Sequence, residues 1–178
     1  ELTVEGEGKN ELSLGKDNLI YATFENFYRQ IEEPAPCVTI SCKNGIPVER
    51  GLGSSAAAIL TGLLAANTFS GKQLPEKQIL KLAALPEGHA DNVTAALTGG
   101  CVVVVYQGDN LSYSPIPFPA DLKVVTFIPD FRMSTAEGRK YLATPFSLQD
   151  VLFNTERVAL LVGALATNRL DVLRIATQ

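Results

Sequence analysis

The sequence predicts an α+β fold in two domains, and three observations carry that expectation. Short alternating apolar segments and longer helical ones succeed one another without the regular strand–helix–strand rhythm of a doubly wound sheet. A glycine-rich turn, Gly51-Leu52-Gly53-Ser54-Ser55, opens a long run of small and apolar residues. Pro115 to Pro119 holds three prolines in five residues, a stiff and donor-poor stretch of the kind that separates domains, and a new pattern starts beyond it.

Taken in order, Leu2 to Glu7 alternates and reads as a strand. Asp17 is the expected cap of a helix from Asn18 to about Glu32, with Leu19, Ile20, Phe24, Phe27 and Ile31 on its apolar face. Pro34-Ala35-Pro36 ends it, and Cys37 to Cys42 reads as the next strand. The Ser54-Ser55 pair is expected to cap a helix through Ala56 to Ala66 that closes near Ser70-Gly71. Another helix is expected from Pro75 to about Leu85, with Ile79, Leu80, Leu82 and Ala83 inward. A polar knot, Pro86 to Asn92, leads into a short helix from Val93 to Leu97. Gly99-Gly100 opens a strand, Cys101 to Tyr106, which Gly108-Asp109-Asn110 turns into a partner, Leu111 to Ser114. Beyond the prolines a strand from Lys123 to Ile128, a short helix from Ser134 and a long helix from Leu148 to about Ala166 are expected. The last pattern shows no stop signal, and the chain reads as a fragment.

Composition narrows the function. Hydrophobic residues make up 46% and charged residues 19% of 178, enough for a real core and typical of a globular protein. A net charge of -4 with no basic cluster argues against nucleic acid or an anionic membrane as partner. No apolar run is long enough to span a bilayer. Cys37, Cys42 and Cys101 at irregular spacing suit reduced, buried thiols of a cytoplasmic protein. A single histidine makes a His-based metal site unexpected.

Three readings compete for Gly51 to Ala58. It is a plain turn before a helix, a dinucleotide loop, or a phosphate loop of another kind. Gly51, Gly53 and Ala56 fit G-x-G-x-x-A by letter, but Lys43 to Glu49 separate the preceding strand from the loop. No acidic strand end follows at the right distance either. A Walker loop needs a lysine that is not there. The first N–H groups of the following helix favour an anion, so a nucleotide phosphate held by a loop outside those two families is the best reading. Ser54 or Ser55 can offer a hydroxyl, and Glu87 a hard carboxylate oxygen, to Mg²⁺. His89, Asp91 and Asn92 make a dense polar group that turn chemistry alone would also explain. Arg139, behind Ser134 and Thr135, has a fork suited to a carboxylate, although most single arginines are simply surface residues.

Together these groups resemble the GHMP small-molecule kinases and, within them, the homoserine kinases. The resemblance rests on Ile46 to Ala58, on Glu87 to Val93 with Gly99-Gly100, and on Pro129 to Arg139. Asp17-Asn18-Leu19 and Phe153 to Arg157 add to it. It implies a domain like the second domain of ribosomal protein S5 over residues 1–118, then the start of a ferredoxin-like domain over 119–178. It implies ATP-dependent phosphorylation of the L-homoserine hydroxyl in threonine biosynthesis. Pro47, Gly51, Leu52, Gly53, Ser54, Ser55, Ala56 and Ala57 would cradle the triphosphate. Ser54 and Glu87 would approach Mg²⁺, and Asn18 the adenine. His89 and Asn92 would line the acceptor side, with Thr135 and Arg139 on the amino acid. Asn92 falls near where mevalonate kinase has an aspartate base. The partners would be small molecules, with a homodimer as the usual assembly. The family's opening substrate loop is not among these residues, so little turnover is expected from the 178 alone. Another GHMP kinase of the mevalonate-pathway type, or a non-catalytic sensor of the same fold, are the alternatives.

Overall fold

The computed structural model describes residues 1–108, 110–131, 138 and 145–178. Two compact units divide them: residues 1–99 with 104–113, and residues 100–103 with 114–178.

The first unit begins with strand β1 (Leu2–Gly6), helix α1 (Leu19–Gln30) and strand β2 (Ile40–Asn44). The two strands pair in parallel with Leu2 opposite Ile40 and Gly6 opposite Asn44, so α1 is the crossover of one strand–helix–strand unit. That motif is not repeated among the described residues, and the class is α+β as expected. The β2 strand lies later than Cys37 to Cys42. Its ladder can start only where β1 offers a partner, and Glu1 marks that point by accepting the Ile40 N–H at 2.8 Å.

Capping of α1 also differs from expectation. Asn18, not Asp17, is the cap: its Oδ1 accepts the Ile20 N–H at 3.0 Å and its Nδ2 donates to the Ser13 carbonyl at 2.7 Å. Only the residue flanking the first helical turn can reach that free N–H. Asp17 turns back instead to accept from the Ser13 hydroxyl at 2.6 Å, which holds its carboxyl below the usual range. The buried stripe is Ile20, Thr23, Phe24, Phe27 and Tyr28, while Leu19 is exposed.

Helices α2 (Ser54–Ser70), α3 (Glu76–Glu87) and α4 (Asp91–Thr98) complete the helical layer. Helix α2 packs on α1, α3 and α4. Phe27, Ile59, Leu63, Ile79, Leu80 and Val93 are its fully buried centre. Helix α3 runs two residues further than expected, through Pro86 to Glu87, and closes on Gly88 in the left-handed region. Its buried residues are Ile79, Leu80, Ala83 and Ala84, with Leu82 only partly covered. Strands β3 (Cys101–Gln107) and β4 (Asn110–Ile116) form a two-stranded sheet, and Val104, Tyr106 and Leu111 pack against the same core.

In the second unit, helix α5 (Leu148–Thr167) starts with a reciprocal cap. The Ser147 hydroxyl accepts the Asp150 N–H at 3.1 Å while Asp150 accepts the Ser147 N–H at 3.2 Å. A stop does exist: Asn168 takes a left-handed conformation (φ 55°) that ends α5 before a short 3₁₀ turn and helix α6 (Leu173–Ala176). Lys123 to Ile128 is not a strand. Val124, Val125 and Phe127 are exposed there, and an apolar run becomes a strand only beside another strand's hydrogen-bonding groups. The helix expected from Ser134 lies outside the described residues.

Candidate functional site

The loop expected to hold phosphate is built on the end of β2. Asn44 fixes its root: its Oδ1 accepts the Ile46 N–H at 3.0 Å, and its Nδ2 donates to the carbonyls of Ile46 (3.0 Å) and Glu7 (2.9 Å). Beyond this clamp the chain turns through three left-handed residues, Glu49 (φ 56°), Gly51 (φ 69°) and Gly53 (φ 74°). Nothing stands within 4 Å of where a Cβ would project from Gly51 or Gly53, so packing does not require these glycines. The backbone conformation does, and the open space leaves room for a ligand to meet the main chain.

Gly53 is the N-cap of α2 and brings no capping side chain, and the first turn holds no acidic residue. Ser54 and Ser55 therefore sit inside the first turn rather than at the cap, contrary to expectation. A cap residue must have non-helical dihedrals, and the left-handed Gly53 is the last such residue. The end of α2 thus keeps its N–H groups and the positive pole of its dipole available to an anion. Pro47, Gly53, Ser54 and Ala57 are half-buried, and Gly51, Leu52 and Ser55 are exposed. Ala56 is fully buried, main chain included. Replacing Gly53 with Ala is expected to lower stability by about 1–2 kcal/mol, the cost of a left-handed L-residue, and to weaken ATP binding at least tenfold. Gly71→Ala is the control. It shares the left-handed geometry (φ 67°) and open surroundings at the far end of α2. A similar melting shift with unchanged nucleotide affinity by calorimetry separates fold from ligand.

Glu87 closes α3 and its side chain is only 8% exposed. Its Oε2 lies 3.3 Å from His89 Nε2, while its Oε1 is buried with no hydrogen-bond partner. A carboxylate oxygen kept from water without a donor is costly unless a cation or ligand donor meets it. His89 Nδ1 in turn lies 2.6 Å from Asp91 Oδ1, and Asp91 also accepts the Asn92 N–H at 2.8 Å. Burial pushes the Asp91 carboxyl up, but the Asn92 N–H and the His89 ring outweigh it and hold the group below its ordinary value. Asn92 is exposed on the first turn of α4.

The structure thus joins Glu87, His89 and Asp91 into one chain of contacts. The sequence had offered Asp91 only as part of a polar knot. The missed signal was the spacing of acid, histidine and acid two residues apart around the helix-ending Gly88. Asn18 spends both ends of its amide on capping and on Ser13. Thr135 and Arg139 lie outside the described residues. Among the described residues no group of three or more His, Cys, Asp or Glu is set to hold a metal. A cavity of about 510 Å³ beside α1, lined by Tyr21, Glu25, Tyr28 and Arg29, includes none of the expected site residues.

Comparison with known proteins shows what the chain is similar to. Residues 18–100 match the model of the GHMP kinases N terminal domain, which takes in the loop, α2 and the Glu87–Asn92 segment. Over those residues the chain is similar to the GHMP kinases N terminal domain. The homoserine kinase of Caldanaerobacter subterraneus subsp. tengcongensis is 43% identical over 178 residues, covering 100% of this chain and 57% of that protein. The homoserine kinase of Nostoc punctiforme is 41% identical over 175 residues, covering 98% of this chain and 58% of its own length. The chain therefore spans somewhat over half the length of the curated relatives it matches. Among solved structures, the homoserine kinase of Cytophaga hutchinsonii superposes with a TM-score of 0.77 at 24% identity, covering 100% of this chain and 59% of that one. That likeness is one of fold.

Proposed function

We propose that the chain is the nucleotide-binding part of a homoserine kinase that moves the γ-phosphoryl group of ATP to the side-chain hydroxyl of L-homoserine. The observation that carries this is the 43% identity to a named homoserine kinase along the whole of the chain. The geometry supports it through the uncapped, glycine-framed N-terminus of α2 and the buried, unpartnered oxygen of Glu87.

In this reading residues 1–118 are the nucleotide-binding domain and 119–178 begin the second domain. Pro47 and Gly51 to Ala57 hold the triphosphate through backbone N–H groups, and Asn18 is adenine-proximal. The orphaned Glu87 oxygen fits a hard cation, so Glu87 with the Ser54 hydroxyl would hold Mg²⁺. When bound, that ion supplies neutralisation of phosphate charge. The helix end stabilises the negative charge that spreads over the transferring group, a task fixed donors perform without reorganisation. His89 and Asn92 line the acceptor side, and Arg139 with Thr135 orient the amino acid, the guanidinium at its carboxylate. The acceptor's proton leaves through phosphate or water, with Asn92 as an uncharged neighbour rather than a base. A cytoplasmic location and a homodimer belong to the same reading.

ADP release by the full protein, with Mg-ATP and L-homoserine, mevalonate, galactose or L-serine as acceptor, tests it. Turnover selective for homoserine is expected. Turnover of another alcohol would keep the phosphate loop and overturn the acceptor. ATP binding without turnover on the whole panel would point instead to a sensor.

A further inference from the structure

Asp91 is the one member of the Glu87–His89–Asp91 chain with no part in the proposed chemistry. The two ring nitrogens of His89 each face a carboxylate, Glu87 Oε2 at 3.3 Å and Asp91 Oδ1 at 2.6 Å. The His89 side chain is 15% exposed and Glu87 8%, whereas Asp91 is 71% exposed. Asp91 is therefore the outer anchor of a row that runs inward to a buried carboxylate.

The anchor is itself fixed. Asp91 is the first residue of α4, and its Oδ1 takes both the Asn92 N–H and the His89 ring. Without it, one edge of the imidazole loses its stop and the ring is free to turn about its bond to the chain. Glu87 would then keep only a mobile partner. A buried carboxylate with one oxygen already lacking a donor would turn that oxygen inward or toward water.

We infer that Asp91 is a positioning residue. It locks the His89 ring, the ring pins Glu87 Oε2, and Oε1 is thereby presented to the cation that accompanies the nucleotide. This gives His89 a duty toward Glu87 beyond lining the acceptor side. The inference rests on the proposed reading of Glu87 as a ligand of that cation.

The test uses Mn²⁺ as the probe, in the full protein with a non-hydrolysable ATP analogue, and counts free Mn²⁺ by electron paramagnetic resonance. Asp91→Ala is expected to weaken Mn²⁺ binding in the ternary complex about tenfold, the scale seen for groups that orient a ligand. Asp91→Asn, whose side-chain oxygen can still accept from the ring and from the helix, is expected to restore most of it. Thermal melts of both variants show that the fold is kept. Steady-state kinetics should then show a raised Mg²⁺ requirement, beside any change in KM for homoserine that the freed His89 ring brings. Wild-type Mn²⁺ affinity in Asp91→Ala would overturn the inference and leave the kinase reading intact, as would a rise confined to the KM for homoserine. If the wild-type protein takes up no Mn²⁺ with the nucleotide, the role of Glu87 and the inference fall together.

Discussion

Glu87→Gln in the full protein is expected to lower kcat for phosphoryl transfer by about 10²–10³-fold, the scale of losing one preorganised electrostatic contact to a transition state. The substitution keeps shape and one oxygen but removes the charge. The side chain is 8% exposed, and its Oε1 has no hydrogen-bond partner. In a purely structural role such a carboxylate would be a poor choice, because a buried lone oxygen costs about 1–3 kcal/mol. The amide should therefore leave the melting temperature unchanged or raise it, since functional sites commonly trade stability for charge placement. Loss of activity with a higher melting temperature would assign Glu87 to the reaction. Unchanged kcat would mean that the buried oxygen is only an expensive neighbour of His89, and that the cation is held elsewhere.

The glycine-framed turn into α2 was legible because its requirements are local. Glycine at left-handed positions and small residues at the start of a helix are read from composition and order alone. The apolar stripe of α1 was legible for the same reason, although Leu19 fell off it. What escaped were choices made by neighbours in space. Asp17 and Asn18 are both good caps by type, and the selection of Asn18 depends on which one meets Ile20 and Ser13. The start of β2 is set by β1, 38 residues away. Lys123 to Ile128 has the composition of a strand and lacks a partner strand among the described residues, so its β-branched residues stay exposed. Asp91 was visible as a polar residue but not as an anchor, because its role appears only once α3 ends at Glu87 and α4 begins at Asp91. Thr135 and Arg139, with the acceptor's carboxylate, rest on resemblance alone.

A large loss of stability from a single methyl group is expected at Gly62, in the middle of α2. A Cβ there would overlap the Thr23 hydroxyl and the Ile20 carbonyl and press on the Phe24 backbone nitrogen. Two of those three are main-chain atoms of α1, and Thr23 is itself held by hydrogen bonds to the carbonyls of Leu19 (2.6 Å) and Ile20 (3.2 Å). No flexible side-chain end can give way. Intrinsic propensity argues the other way, since alanine is favoured over glycine in a helix interior by about 1 kcal/mol. The sign of the change therefore decides which effect wins. Gly62→Ala is expected to lower the unfolding free energy by about 1–3 kcal/mol, as overpacked cores do. Gly163→Ala, an exposed position in α5 with nothing within 4 Å, should raise it by up to about 1 kcal/mol. Denaturant titration of both variants checks the pair, and equal shifts would mean that α1 and α2 do not approach as closely as Gly62 requires. The consequence reaches the site, because α2 carries the phosphate loop at its N-terminus. If α1 pushes α2 away, the helix end moves relative to Glu87 on α3, and ATP affinity should fall in Gly62→Ala even where enough folded protein remains to assay.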